Sequence, residues 1–341
     1  MKRKPVSLDD IAVNLGVSKS LVSFVLNDKA DLYGISLETR QRVFEKAKEM
    51  NYKPNHFARG LRLGKSFTIG LIVSDIANGF YSKIARQIED LAEENGYNLI
   101  ISSTDEIVER EVKLIRLLRN RQVDGLIISS SQSNPDEFYR LRKEGIPFVL
   151  IDRYFKGAEF PAVLVDNGGG AGWAADHFYE MGFRKPLVLA ISPIHIYTIQ
   201  ERLKGFKVQF ARKGINPVVE EIPFNNTQEH IDRLISKYKQ SDKMPDCIFA
   251  LNNNLATATL LALKRNNIRI PDQVGLICFD DVPFFSLVNP AITAIAQPVN
   301  DICAEAFDCL MKQIDPGKGG YINGPIYLPC QFIVRESTRI N

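Results

Sequence analysis

A chain of 341 residues with 45% hydrophobic and 24% charged residues has the material for two or three soluble globular domains. No apolar run approaches the roughly 18 residues a membrane span needs, and the basic start MKRKPVSLDD leads into no apolar signal segment, so membrane and export roles are not expected. The net charge of +3 is uneven: residues 1–66 hold 13 Lys and Arg against 7 Asp and Glu, and the rest hold 30 against 33. A basic end on a mildly acidic body suggests a polyanion-binding module on a separate carrier.

Residues 1–52 read as helical. Ser7 caps LDDIAVNLG, with Asp10 completing an acidic capping box, and Gly16 ends that helix. Ser18 caps a second helix running to about Asn27, DKADLYGI is a loop, and Ser36 caps LETRQRVFEKAKEMN with its stripe of Val43, Ala47 and Met50. From about Ser66 short β-rich runs appear: FTIGLIV (67–73), YNLIIS (97–102), GLIIS (125–129), FVLID (148–152), AVLVD (162–166), PLVLAI (186–191), CIFAL (247–251), GLICFD (275–280) and ITAIAQ (292–297). Amphipathic stretches separate most of them, which indicates parallel sheets covered on both faces. They are too many for one comfortable sheet, so two α/β lobes are expected, with a barrel as the alternative. Ligands then belong at the C-terminal strand ends. Five cysteines (247, 278, 303, 309, 330) without CxxC spacing read as reduced thiols of a cytoplasmic protein, and four scattered histidines offer no zinc pattern. Neither metal nor cofactor is expected.

Helix, glycine-containing turn and helix at this spacing is a helix-turn-helix signature. Leu8, Ile11, Leu15, Val22, Val25 and Leu26 can face inward, leaving Lys19, Ser20, Ser23 and Phe24 outward on the second helix, where a recognition helix meets base edges. Its capped N-terminus at Ser18 can meet phosphate. The alternative is a small helical hairpin with a solvated polar face.

SLDDIAVNLGVSKSLVSFVLN, followed by ETRQRVFEKAKEMNYKPNHFARGLRLGKS, closely resembles the start of lactose-repressor-family (LacI/GalR-type) transcription regulators. TIGLIVSDIANGFY, VDGLII, PFVLIDR, VDN, ERLKGF and GLICFDDV…PAITAIAQP extend the resemblance over nearly the whole chain, in order. The resemblance implies an all-α helix-turn-helix headpiece (1–52), a hinge helix and linker (53–65), and an α/β two-lobed, periplasmic-binding-protein-like (type I) sensor core (66–341). Lobe 1 is then expected over about 66–165 and 298–324, and lobe 2 over 166–297 and 325–341. It also implies a homodimeric repressor on a near-palindromic double-stranded DNA operator, controlled by a small-molecule effector, with a sugar or sugar derivative expected. DNA contacts fall by resemblance on Ser18, Lys19, Ser20, Ser23, Phe24, Asn27, Leu61 and Arg62, with Leu61 as the minor-groove wedge. Read from its residues alone, KPNHFARGLRLGKS is a marginal helix with Gly60 and Gly64, and a flexible linker with a buried leucine remains the alternative.

Two enzyme-like motifs fail. GLRLGKS (60–66) has only three residues between its glycines and precedes a strand instead of following one. GGGAGWAA (168–175) follows a strand, but the next strand, PLVLAI, ends in Ser192 with no acidic residue for a ribose, so small residues packing a helix start on a sheet are expected. No nucleophile–base pair is evident, and an enzyme is not expected. A solute-binding protein without DNA function is the main alternative, and a sugar-handling enzyme a lesser one. By resemblance, the ligand cleft takes Phe80 and Tyr81 as its aromatic wall and Arg202 and Asp280 as polar clamps; Arg153, at a strand end, and Asp75 are further candidates, with structural ion pairs near a lobe surface as the alternative for the charged residues. Departures from the family pattern are Ile196, where purine-binding members carry Arg; Asn254, usually Asp; Leu21 and Phe24 in the recognition helix, usually Thr and Arg; and a longer loop DKADLYGIS. The end FIVRESTRIN leaves no heptad tail, so a tail-dependent tetramer is not expected.

Overall fold

The computed structural model describes residues 6–52, 64–318 and 323–339. The chain divides into two compact units, Met1–Gly64 and Lys65–Asn341. Among its described residues the first unit holds three helices, α1 (Leu8–Leu15), α2 (Lys19–Leu26) and α3 (Leu37–Glu49). Their ends follow the local chemistry. Ser7 Oγ accepts from Asp10 N while Ser7 N donates 2.7 Å to the Asp10 carboxylate, closing the capping box. Gly16 takes φ +67 to stop α1, and Ser18 and Ser36 cap α2 and α3. Ile11, Ala12, Val22, Val25, Ala30, Val43 and Ala47 form the buried core, with Leu8, Leu15, Leu21, Leu26 and Met50 packed around it.

The second unit is built on two six-stranded open sheets rather than a barrel. β1 (Thr68–Val73), β2 (Asn98–Ser103), β3 (Gly125–Ile128), β4 (Phe148–Ile151), β5 (Ala162–Val165) and β11 (Pro325–Leu328) form the lobe 1 sheet, in the order β11-β5-β4-β3-β1-β2 and all parallel. β6 (Pro186–Ile191), β7 (Val218–Ile222), β8 (Cys247–Ala250), β9 (Gly275–Phe279), β10 (Thr293–Ala296) and β12 (Gln331–Ile333) form the lobe 2 sheet, in the order β12-β10-β9-β8-β6-β7, with only β12 antiparallel. The central strands are buried on both faces, which explains their unbroken apolar runs.

The helices of this unit are α4 (Gly79–Glu94), α5 (Val108–Asn120), α6 (Asp136–Lys143), α7 (Asn167–Glu180), α8 (Tyr197–Ala211), α9 (Thr227–Gln240), α10 (Asn253–Arg265) and α11 (Val299–Ile314). The chain passes between lobes after β5, after β10 and between β11 and β12. The last passage corrects the expected boundary at 324/325. β11 pairs Pro325 with Ala162 and Leu328 with Val165, so lobe 1 keeps this strand and the chain leaves it only near Pro329. GGGAGWAA is also only partly a sheet-packing motif. Gly170 does lie against Phe279 and Ile295, but Gly168 lies against α8, where a Cβ on Gly205 would come within 2.1 Å of the Gly168 carbonyl. The small residues bring α7 and α8 into close contact, and α8 carries Arg202.

Candidate functional site

In the helical unit, Ser18, Lys19 and Ser20 are exposed and Ser23, Phe24 and Asn27 are half-buried. Lys19 Nζ lies 2.7 Å from the Asp9 carboxylate, an exposed pair worth little that phosphate can displace. Asn27 closes α2, its side-chain amide donating 2.7 Å to the Ser23 carbonyl. Phe24 departs from expectation. Instead of a free outward ring it is stacked on Tyr33 of the following loop, with centroids 3.7 Å apart and planes at 8°. An exposed phenyl group next to a second ring gains by covering one face. Leu61 and Arg62, and with them most of the expected hinge, lie outside the described residues.

In the sensor core, a cavity of about 280 Å³ lies where the strands of both sheets end. Ser74 and Asp75 follow β1, Asp152 and Arg153 follow β4, Asn252 and Asn254 follow β8, and Asp280 follows β9; Phe80, Tyr81, Glu106 and Arg202 add to the polar and aromatic lining. Asp152 and Asp280 leave their strands with φ of +63° and +84°, left-handed conformations that Asp tolerates better than most residues. Of the expected residues, Asp75, Phe80, Tyr81, Arg153, Arg202, Asn254 and Asp280 all line this cavity. Ile196 does not: it precedes α8 and is buried in the apolar core, its turn offering Thr198 and Ile199 to the cavity instead.

The lining is a connected ionic network. Arg153 makes a two-pronged pair with Glu106, at 2.6 and 2.7 Å, and also reaches Ser131 Oγ at 3.1 Å. Burial acts to raise the Glu106 carboxyl, but Arg153 and the hydroxyl groups around it hold it below its ordinary value. Tyr81 donates 2.8 Å to Asp152, and burial of the phenol raises its pKa. Arg202 donates through Nε to Asn167 Oδ1 and through a terminal nitrogen to the Leu251 carbonyl, both at 2.7 Å. Its guanidinium carbon sits 3.7 Å from the Phe279 ring centroid, and a terminal nitrogen is 3.9 Å from Asp152. Asp280 accepts 2.6 Å from Gln297, and burial, opposed by Arg202, pushes its carboxyl up to about 6.

Three buried polar atoms in or beside this network, Arg153 Nε, Asn253 Oδ1 and Gln297 Oε1, have no hydrogen-bond partner among the described residues. Buried polar atoms without partners are costly, and of these three residues only Arg153 lines the cavity. Glu106, Asp152, Asn78, Thr198, Phe224, Thr227 and Asn252 line the cavity without having been singled out in the sequence. Asp152 could have been found by the strand-end rule that gave Arg153. Glu106 could not, since nothing in TDEIVER distinguishes it from a surface acid.

Among the described residues no helix is long and apolar enough to cross a membrane, and no cluster of His, Cys, Asp and Glu could hold a metal. Residues 7–55 match the profile of bacterial regulatory proteins, lacI family, and residues 175–338 that of the periplasmic binding protein-like domain. The chain is 31% identical to the ribose operon repressor of Halalkalibacterium halodurans, over 98% of this chain and 97% of that protein. A LacI family transcriptional regulator from Enterococcus faecalis, solved with bound ribose, is 29% identical with a TM-score of 0.70, covering 80% of this chain and 98% of that one. The lac repressor dimer bound to operator and an anti-inducer shares the fold at 24% identity, with a TM-score of 0.87 over 99% of this chain and 100% of that one. A helix-turn-helix unit, a two-lobed core with a polar cleft, and 31% identity to a regulator along nearly its full length lead to one conclusion: the chain belongs to the LacI family of bacterial transcription regulators.

Proposed function

We propose that the protein is a repressor that binds a near-palindromic operator as a homodimer, and that a neutral monosaccharide held between its two lobes controls that binding. The observation that carries the effector class is the lining of the cleft. Four carboxylates (Asp75, Glu106, Asp152, Asp280) face only two guanidinium groups, and the pair between Arg153 and Glu106 leaves Arg153 little capacity to recruit an anion. Hydroxyl groups suit such a site, since each can donate to a carboxylate and accept from Arg202 or an amide. Phe80 and Tyr81 supply an aromatic wall beside them. The cavity of about 280 Å³ lies at the small end of the range for ligand pockets, which fits one sugar ring better than two. The ribose bound by the Enterococcus faecalis relative supports the same class.

Closure of the lobes around such a ligand would change the dimer presented to the operator, a coupling of about 1–3 kcal/mol in comparable systems. Leu61 and Arg62 are proposed as groove contacts by resemblance, alongside Ser18, Lys19, Ser20, Ser23, Phe24 and Asn27. Belonging to a family of transcription regulators, the protein is not an enzyme.

A thermal-shift panel tests the effector class. Neutral pentoses and hexoses are expected to raise the melting temperature of the core, by about 2.7 kcal/mol of stabilisation at a hundred times Kd. Sugar phosphates and sugar acids are expected to give less or none. Stabilisation by an anionic metabolite, with every neutral sugar silent, would contradict the proposal.

A further inference from the structure

The loop after the recognition helix is a built element. Ala30 is buried in the headpiece core, and Ile35 N closes back on the Ala30 carbonyl at 3.0 Å. Gly34, at φ +61°, donates to the Asp31 carbonyl, making the tight turn that puts Leu32 and Tyr33 at the tip. Arg40 of α3 clamps both ends, 2.6 Å from the Asp31 carboxylate and 2.8 Å from the Ile35 carbonyl. At this tip Leu32 is 81% and Tyr33 57% exposed, yet the Tyr33 ring lies flat on Phe24 at 3.7 Å. A loop ordered only to support the core would bury its large side chains. This one is anchored through Ala30 and holds an aromatic ring outside, beside the helix face that carries Ser20 and Ser23.

We propose that Tyr33 is a specificity-determining residue for DNA, forming with Phe24 a two-ring apolar surface that selects thymine at one or two adjacent base pairs of each half-site. The inference rests on the operator-binding reading above and adds a residue outside the recognition helix. Its chemistry follows from what aromatic rings can do in the major groove. A phenyl ring has no donor for guanine, whereas the thymine methyl is the apolar feature exposed there. Stacking fixes the orientation of the Phe24 ring and extends its apolar surface by a second ring. The Tyr33 hydroxyl adds a group able to donate to a phosphate, or to donate to or accept from a base edge, outside the stack itself.

Selection from random double-stranded DNA by the full-length protein, followed by affinity measurements on the selected sequence, tests this. The wild type is expected to return a half-site with one or two A·T pairs under the stack. Tyr33→Ala and Tyr33→Leu are expected to lose that preference while keeping the rest of the motif. They should bind the selected sequence about five-fold more weakly or worse, and bind DNA lacking those thymines as the wild type does. Tyr33→Phe keeps the stack and is expected to keep the thymine preference. Circular dichroism melting of each variant reports whether the headpiece stays folded. An unchanged motif in Tyr33→Leu, or equal weakening on all DNA, would make Tyr33 a brace and overturn the inference. A wild type that selects no motif at all would overturn the operator reading itself, and is distinguishable for that reason.

Discussion

Replacing Arg202 with Met is expected to destabilise the sensor core by about 3–5 kcal/mol and to abolish its response to effector. Arg202 is only 4% exposed, and its removal strands two acceptors, the Asn167 amide oxygen and the Leu251 carbonyl, and takes a cation from beside the Asp152 carboxylate, which keeps its bond from Tyr81. A stranded neutral acceptor costs roughly 1–3 kcal/mol, and loss of the guanidinium over Phe279 adds to this. Such a loss is a large part of a typical domain's total of about 5–15 kcal/mol, so urea midpoints must accompany any functional measurement. Arg202→Lys separates stability from recognition. It keeps the charge but not the planar fork that serves Asn167 and Leu251 together. A folded core with effector affinity reduced about ten-fold or more is expected by calorimetric titration. Unchanged affinity in Arg202→Lys would remove Arg202 from the site.

Asp280 is expected to give the effector-free core a pH dependence of opposite sign to that of an ordinary ion-paired carboxylate. Burial raises its pKa from an ordinary 3.8 to about 6, so the folded state holds a proton that the unfolded chain has released. Its stabilising contribution is therefore complete below the ordinary value and is lost as the pH rises through about 6. The full effect is about 3 kcal/mol, of which roughly half should be recovered on moving from pH 7 to pH 5. Glu106, held below its ordinary value, works in the opposite direction, and Glu111, raised by burial, works in the same one. The informative quantity is thus the difference from Asp280→Asn. This variant should unfold at a higher urea concentration than the wild type at pH 7 and lack the gain at pH 5. It should also bind effector more weakly, having replaced an acceptor of hydroxyl protons by a mixed amide. Parallel stability profiles for the two proteins between pH 5 and 7 would contradict the assignment.

What was legible in the sequence follows from how deeply each element is buried. The nine expected strands are found within a residue or two; eight lie inside a sheet, where strands buried on both faces must be apolar, and the ninth, β2, is a half-exposed edge strand marked by its Leu99–Ile101 run. The three unforeseen strands are edge strands. β7 reads VVEEI with Glu220 and Glu221 partly or wholly exposed, while β11 and β12 are four and three residues long. Missing β7 hid Phe224 and Thr227 behind it, and missing β11 misplaced the last passage between lobes. In the cleft, residues at strand ends were legible from position alone. Glu106 was not, because its role comes from a partner, Arg153, 47 residues away. Ile196 was chosen by its place in a family pattern and turned inward, since an apolar side chain at the start of α8 gains more in the core than at a polar cavity. Phe24 shows the same limit from the other side. Periodicity could assign it to the outer face of α2 but could not foresee that a longer loop would bring Tyr33 onto its ring.

One chain is proposed to couple a sugar-binding cleft to sequence-selective DNA binding. Fluorescence anisotropy with the full-length protein and its selected operator, titrated with and without the sugar identified by thermal shift, measures both ends of that coupling. The predicted result is salt-sensitive, sequence-selective binding whose affinity changes about 5–150-fold when the sugar is present. Binding that is equally tight to unrelated DNA, or an operator affinity that a bound sugar leaves unchanged, would contradict it.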